Sequence, residues 1–213
     1  MIPALIVAAA VLEIVAWRLI ATARASIWRL MVAVFAIHAV IAVLLGGFAG
    51  PGVRGGGFAL GLGVGAGLAL YAATRAFVGV AVAWPRFRRA VEDRYGPARD
   101  VSLPTALVLS LGVAVTGEEL FWRGLVQHRL ADAISPASGA ALAWAGYVAV
   151  NLAPASLPIA AGAIVGGAAW TALAWFTGGI LASLVCHAIW TGLMLAFPPA
   201  AGRGMMPRVR PSR

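Results

Sequence analysis

The chain has 213 residues, 62% of them hydrophobic and only 11% charged, with a mean hydropathy of +0.94. A soluble domain carries roughly a quarter charged residues, so a water-soluble globule is excluded and a polytopic membrane protein is expected. The net charge of +9 comes from 16 basic residues, all arginine, placed between apolar runs and in the C-terminal tail, where anionic lipid headgroups rather than nucleic acid are the natural partner.

A spanning helix needs about 20 predominantly apolar residues. Taken in chain order, such segments fall at 2–22, 28–49, 57–84, 103–125, 138–155, 157–177 and 179–198. The expected fold is therefore all-α, a polytopic transmembrane helix bundle of about seven spans. The first segment has no basic region ahead of it, and Glu13 and Arg18 interrupt it, so it reads as a span rather than a cleaved signal peptide. Pro51 and Gly55-Gly56-Gly57 separate the second and third segments. Pro154 and Pro158 flank the next break, Gly178-Gly179 mark the following one, and Pro198-Pro199 end the array.

Three divisions follow: 1–100 as N-terminal helices with a basic loop, 101–198 as a core, and 199–213 as a basic tail expected to be disordered. Glycines four apart (Gly57, Gly61 and Gly65; Gly63 and Gly67; Gly162 and Gly166) suit close helix packing. The composition, rich in Ala, Gly, Val and Arg, is that of a GC-rich bacterial genome, so a bacterial cytoplasmic membrane is expected. Arginines cluster at 18–29, at 86–99 and in the tail. By the positive-inside rule these segments are cytoplasmic, which sets the N-terminus outside and the C-terminus inside.

Polar residues within the spans are few. Glu118 and Glu119 are adjacent in VLSLGVAVTGEELFWRGLVQ, with Arg123 close behind. Ionised carboxylates are costly in a bilayer and are retained there for function. On a helix Glu119 and Arg123 share a face, with the acid N-terminal, whereas Glu118 is turned about 100° away. This spacing predicts that Arg123 neutralises and orients Glu119, leaving Glu118 to bind and deprotonate a water. Tyr147 and Asn151 share a face of the fifth span, and His187 and Thr191 a face of the last. Glu13 is a candidate to pair with Arg75 across helices, and His38 to bond another helix. The single cysteine, Cys186, excludes an internal disulfide and a multi-cysteine zinc site and reads as a small core residue.

From about Val101 to Phe197 the chain resembles the CAAX-processing and bacteriocin-processing (CPBP, or Abi) intramembrane proteases. GEELFWRGLVQ fits the family's first motif, and TGGILASLVCHAIW, leading to His187, resembles its last. The resemblance implies an endopeptidase acting on a membrane peptide or protein. Glu118 would be the base, Glu119 and Arg123 its support, and His187 an oxyanion donor. Two positions depart from the pattern. Asn151 stands where the middle motif has histidine, and Thr191 where the last has Asn or Asp. Asparagine cannot relay a proton near neutral pH, so a weakened enzyme, or a degenerate scaffold or immunity protein, is the alternative. A transporter would show paired repeats and interrupted helices, and neither is apparent. The family is often described as metal-dependent. With the middle histidine replaced, no cofactor is expected here, zinc being the lesser alternative.

Overall fold

The computed structural model describes residues 2–22, 27–47, 50, 52–95 and 101–199. Arg24, Arg99 and the tail arginines Arg203, Arg208, Arg210 and Arg213 lie outside the described residues, as do the side chain of Arg94 and the tail expected to be disordered.

Among the described residues eight helices make an all-α bundle: α1 (Ile2–Ala21), α2 (Ile27–Leu44), α3 (Gly56–Ala81), α4 (Pro85–Tyr95), α5 (Leu103–Ala133), α6 (Pro136–Asn151), α7 (Leu157–Thr177) and α8 (Leu181–Ala196). Five of them, α1, α2, α3, α5 and α7, are long and apolar enough to cross a membrane. The helices α6 and α8 have 16 residues each, about 24 Å at 1.5 Å per residue. This falls short of a full hydrocarbon core of about 30 Å. Large apolar side chains such as Val7, Val40, Val80 and Val165 remain exposed on the outer faces, as expected where lipid is the solvent.

Two sequence expectations are corrected. The fourth span does not stop near 125 but runs on to Ala133, because no breaker occurs before Ser135-Pro136. The arginine-rich segment after α3 is not an open loop. Residues 85–95 form α4, whose Phe87 and Val91 pack against Val78 while Arg86, Arg88 and Arg89 stay exposed.

Small residues position the core. Gly63 and Gly67 of α3 face α8, where a Cβ would meet the Ala182 and Cys186 carbonyl oxygens at 2.7 and 2.9 Å. Gly57, Gly61 and Gly65 face open space instead, so only one of the two glycine rows is a packing seam. On α5, Gly117 rests on the Phe35 carbonyl of α2, and Gly124 on that of Gly47. Those two contacts press α5 against α2 on either side of the glutamates.

Candidate active site

Helix α5 is not a regular α-helix around the glutamates. Over Val108–Val115 and Leu120–Gln127 it widens to π-type i→i+5 bonding, leaving one ordinary turn, Thr116–Glu119, between. The Thr116 hydroxyl follows the wider pitch and donates to the Leu111 carbonyl, 2.9 Å away. Short π segments in helices recur at functional sites. Nothing in the apolar sequence announces them.

Glu119 is fully buried and its Oε1 is held twice. Arg123 Nη1 donates to it at 3.3 Å, and His187 Nδ1 lies 2.9 Å away. Arg123 also donates through Nη2 to the Gly167 carbonyl at 3.3 Å, and its guanidinium lies 4.5 Å over the Tyr147 ring. Four helices, α5 to α8, therefore meet on one guanidinium and its neighbours. A fixed planar fork with several donors suits such a position better than a lysine ammonium.

Glu118 is 9% exposed and held less firmly. Its Oε1 is 4.0 Å from Arg123 Nη1, beyond hydrogen-bond range, and has no hydrogen-bond partner. The Tyr147 hydroxyl lies beside the same carboxyl. Glu119 Oε2 is also without a hydrogen-bond partner, so the two adjacent acids differ in their anchoring: Glu119 is pinned through Oε1, and Glu118 is not.

His187 stacks on Trp170 at 3.6 Å between ring centroids, and Trp170 meets Trp190 edge-on at 5.5 Å. This aromatic packing fixes the imidazole plane. Trp190 also donates to the Thr74 hydroxyl at 3.0 Å and lines an apolar groove of about 270 Å³ between α3, α4, α7 and α8. A second cavity, of about 240 Å³ and more polar, reaches Arg123 from the opposite end, past Gln127, His128 and Asp132.

Asn151 is buried, but its amide donates to the Tyr147 carbonyl of its own helix at 3.0 Å. Among the described residues no hydrogen bond or ion pair joins it to Glu118, Glu119, Arg123 or His187. Thr191 is half-buried one turn beyond His187, likewise without such a bond. The structure therefore brings Glu118, Glu119, Arg123, Tyr147 and His187 together, and Asn151 and Thr191 make no hydrogen bond or ion pair to the charged members.

Residues 100–193 match the family model of the Rce1-like type II CAAX prenyl endopeptidases. The match agrees with the resemblance to the CPBP proteases carried by the two sequence motifs. No curated protein and no solved structure matches the chain. The Rce1-like segment spans α5 to α8 and contains the whole cluster just described. Helices α1 to α4 lie outside it.

Glu13 and Arg75 have other partners than the pairing the sequence suggested. Glu13 does not meet Arg75. It accepts from the Trp122 indole at 3.2 Å and lies 3.8 Å from His38, whereas Arg75 donates to the Tyr71 hydroxyl at 3.0 Å. His38 does bond another helix, through Nε2 to the Ala9 carbonyl at 3.1 Å. Arg129 reaches back to the Leu45 carbonyl at 2.7 Å, capping the chain as it leaves α2. Of the two rings that frame the site, Tyr147 was singled out only for sharing a face with Asn151, and nothing in the sequence pointed to Trp170.

Proposed function

We propose that the protein is an intramembrane endopeptidase in which Glu118 activates the attacking water. The observation that carries this is the contrast between the two acids. Glu119 is held through Oε1 by both Arg123 and His187, while Glu118 has neither contact at hydrogen-bond distance and keeps its Oε1 unpartnered. A carboxylate of the second kind accepts a water O–H bond and takes its proton as the oxygen attacks a peptide carbonyl. In the step proposed, His187 Nδ1–H donates to Glu119, and Nε2, when it carries a hydrogen, is the donor for the developing oxyanion. The proton held by Glu118 passes to the leaving nitrogen as the C–N bond breaks.

The reaction proposed uses no metal. Among the described residues no group of three His, Cys, Asp or Glu is arranged to hold one. The donor chemistry agrees: His187 Nδ1 and Glu119 Oε1 face one another at proton-sharing distance with a guanidinium on the same oxygen. Zinc would have to displace both contacts and sit beside Arg123.

The substrate we propose is a membrane-associated peptide or protein. The Rce1-like name specifies a prenyl CAAX substrate for that family, and the apolar groove beside Trp190 is compatible with an apolar substrate segment. Exposed Arg86, Arg88 and Arg89 on α4 support a cytoplasmic position for that helix against anionic headgroups in a bacterial inner membrane.

One observation favours a second reading, a degenerate scaffold or immunity protein: the Asn151 amide is spent on its own helix. Glu118→Gln separates the two. In proteoliposomes carrying a membrane-anchored reporter peptide, this nearly isosteric change should reduce cleavage to background with unaltered expression and melting. Wild-type cleavage by the variant, or none by the wild type, rejects the peptidase reading.

A further inference from the structure

Glu13 on α1 and His38 on α2 are both fully buried, and both lie outside the segment that matches the family. An isolated ion in such a place costs several kcal/mol, so the pair needs an account. His38 Nε2 carries a hydrogen, because its neighbour at 3.1 Å is the Ala9 carbonyl oxygen, which can only accept. The other ring nitrogen, Nδ1, has no hydrogen-bond partner and lies 3.8 Å from Glu13 Oε2. That oxygen accepts from Trp122 Nε1 at 3.2 Å, while Glu13 Oε1 has no partner. With no proton, a bare carboxylate would face a bare lone pair. With one, on either residue, the pair is neutral overall. At 3.8 Å the two groups are within ion-pair range, and a proton passes between them once the side chains close to hydrogen-bond distance.

The pair adjoins the candidate active site. Trp122, which donates to Glu13, follows Glu118 by four residues on α5 and meets Tyr147 edge-on at 5.7 Å between ring centroids. The charged and titratable groups that interact with Glu13 are His38 from α2, Glu118 and Arg123 from α5, and Tyr147 from α6, with the Trp17 indole alongside on α1. The His38 ring stacks on Phe121 at 4.1 Å, which holds it in place. Within the matched segment Glu118 has no imidazole of its own: His187 is bonded to Glu119, and Asn151 cannot titrate.

Resting on the assignment of Glu118 as the base, we propose that Glu13 and His38 form a positioning pair whose shared proton shifts in step with the charge on Glu118. While Glu118 is ionised, the shared proton sits on Glu13, so two neighbouring carboxylates are not negative together. When Glu118 takes the proton from water, the shared proton moves to His38 and Glu13 becomes the carboxylate. When Glu118 delivers its proton to the leaving nitrogen, the shared proton returns to Glu13. No proton is gained or lost by the pair over a cycle, and no further reactant is required.

The test is a set of double-variant cycles on the full chain purified in detergent, reading kcat, KM and melting temperature with a membrane-peptide reporter. Glu13→Gln keeps an acceptor for Trp122, and His38→Gln keeps a donor for the Ala9 carbonyl, so either can carry the experiment if the other fails to accumulate. Each should lower kcat about 10- to 100-fold, the low end of an acid–base contribution, with KM unchanged. Asn151→His places an imidazole on α6 next to Tyr147, and in that background the same two changes should cost less than about threefold. A purely structural loss would be the same size in both backgrounds. That result, or unchanged kcat in the original background, overturns the proposal. Glu118→Gln serves as the control. Activity surviving that change would instead refute the peptidase assignment beneath it.

Discussion

Nδ1 of His187 lies 2.9 Å from Oε1 of Glu119 across two helices 68 residues apart in sequence. One ring nitrogen is thereby fixed by a carboxylate, and the other is left to face whatever enters the site. Carboxylate–imidazole pairs of this kind set tautomer and orientation together.

Replacing His187 by asparagine keeps an amide donor near the Nδ1 position and removes Nε2. The rate constant kcat should fall about 10²–10⁴-fold while melting in detergent is little changed. A wild-type rate for His187→Asn would show that Nε2 takes no part in the reaction.

Arg123 is 3% exposed and donates to both Glu119 and Gly167. Arg123→Leu strands the Glu119 charge and should cost about 3–5 kcal/mol of stability, read by denaturant or thermal unfolding in micelles. Adding Glu119→Leu should recover much of that loss without recovering activity. If the double variant is no more stable than the single, the pair does not balance charge as described.

Gly117 rests against the Phe35 carbonyl of α2. A methyl group there has to push α5 and α2 apart, so Gly117→Ala should destabilise by about 1–3 kcal/mol. Gly112, with nothing near its Cβ position, is the matched control. Gly112→Ala should be neutral or slightly stabilising, since alanine is the better helix former. Equal melting temperatures for the two variants would mean that the seam is not tight.

The arginines of α4 test orientation. Trypsin should cut after Arg86, Arg88 or Arg89 in inverted membrane vesicles and leave intact spheroplasts uncut at those positions, with fragments identified by mass. Cleavage in spheroplasts would reverse the proposed topology.

Much of the architecture was legible because breakers in this chain are unambiguous. Pro154, Pro158 and Gly178-Gly179 fall at or beside real helix boundaries. The left-handed φ of 72° at Gly178 shows why a glycine ends α7. The Glu119–Arg123 pair followed from spacing within one helix, and the structure bears it out at 3.3 Å. What could not be read depends on how separate helices meet. Glu13 could equally have faced Arg75, and only the packing of α1 and α2 against α5 gives it to His38 and Trp122. The π-type stretches were illegible for another reason. They change hydrogen-bond pitch without changing composition.

The cluster on α5 holds two carboxylates against a single guanidinium. In a low-dielectric interior that imbalance is felt strongly. If Glu118 is the base as proposed, a chain terminus bearing its own free carboxylate would be turned away from the reacting centre, whereas an internal amide bond would suffer no such repulsion. Selectivity for cutting inside a chain rather than trimming its last residue would then need no dedicated recognition loop, only an uneven count of charges.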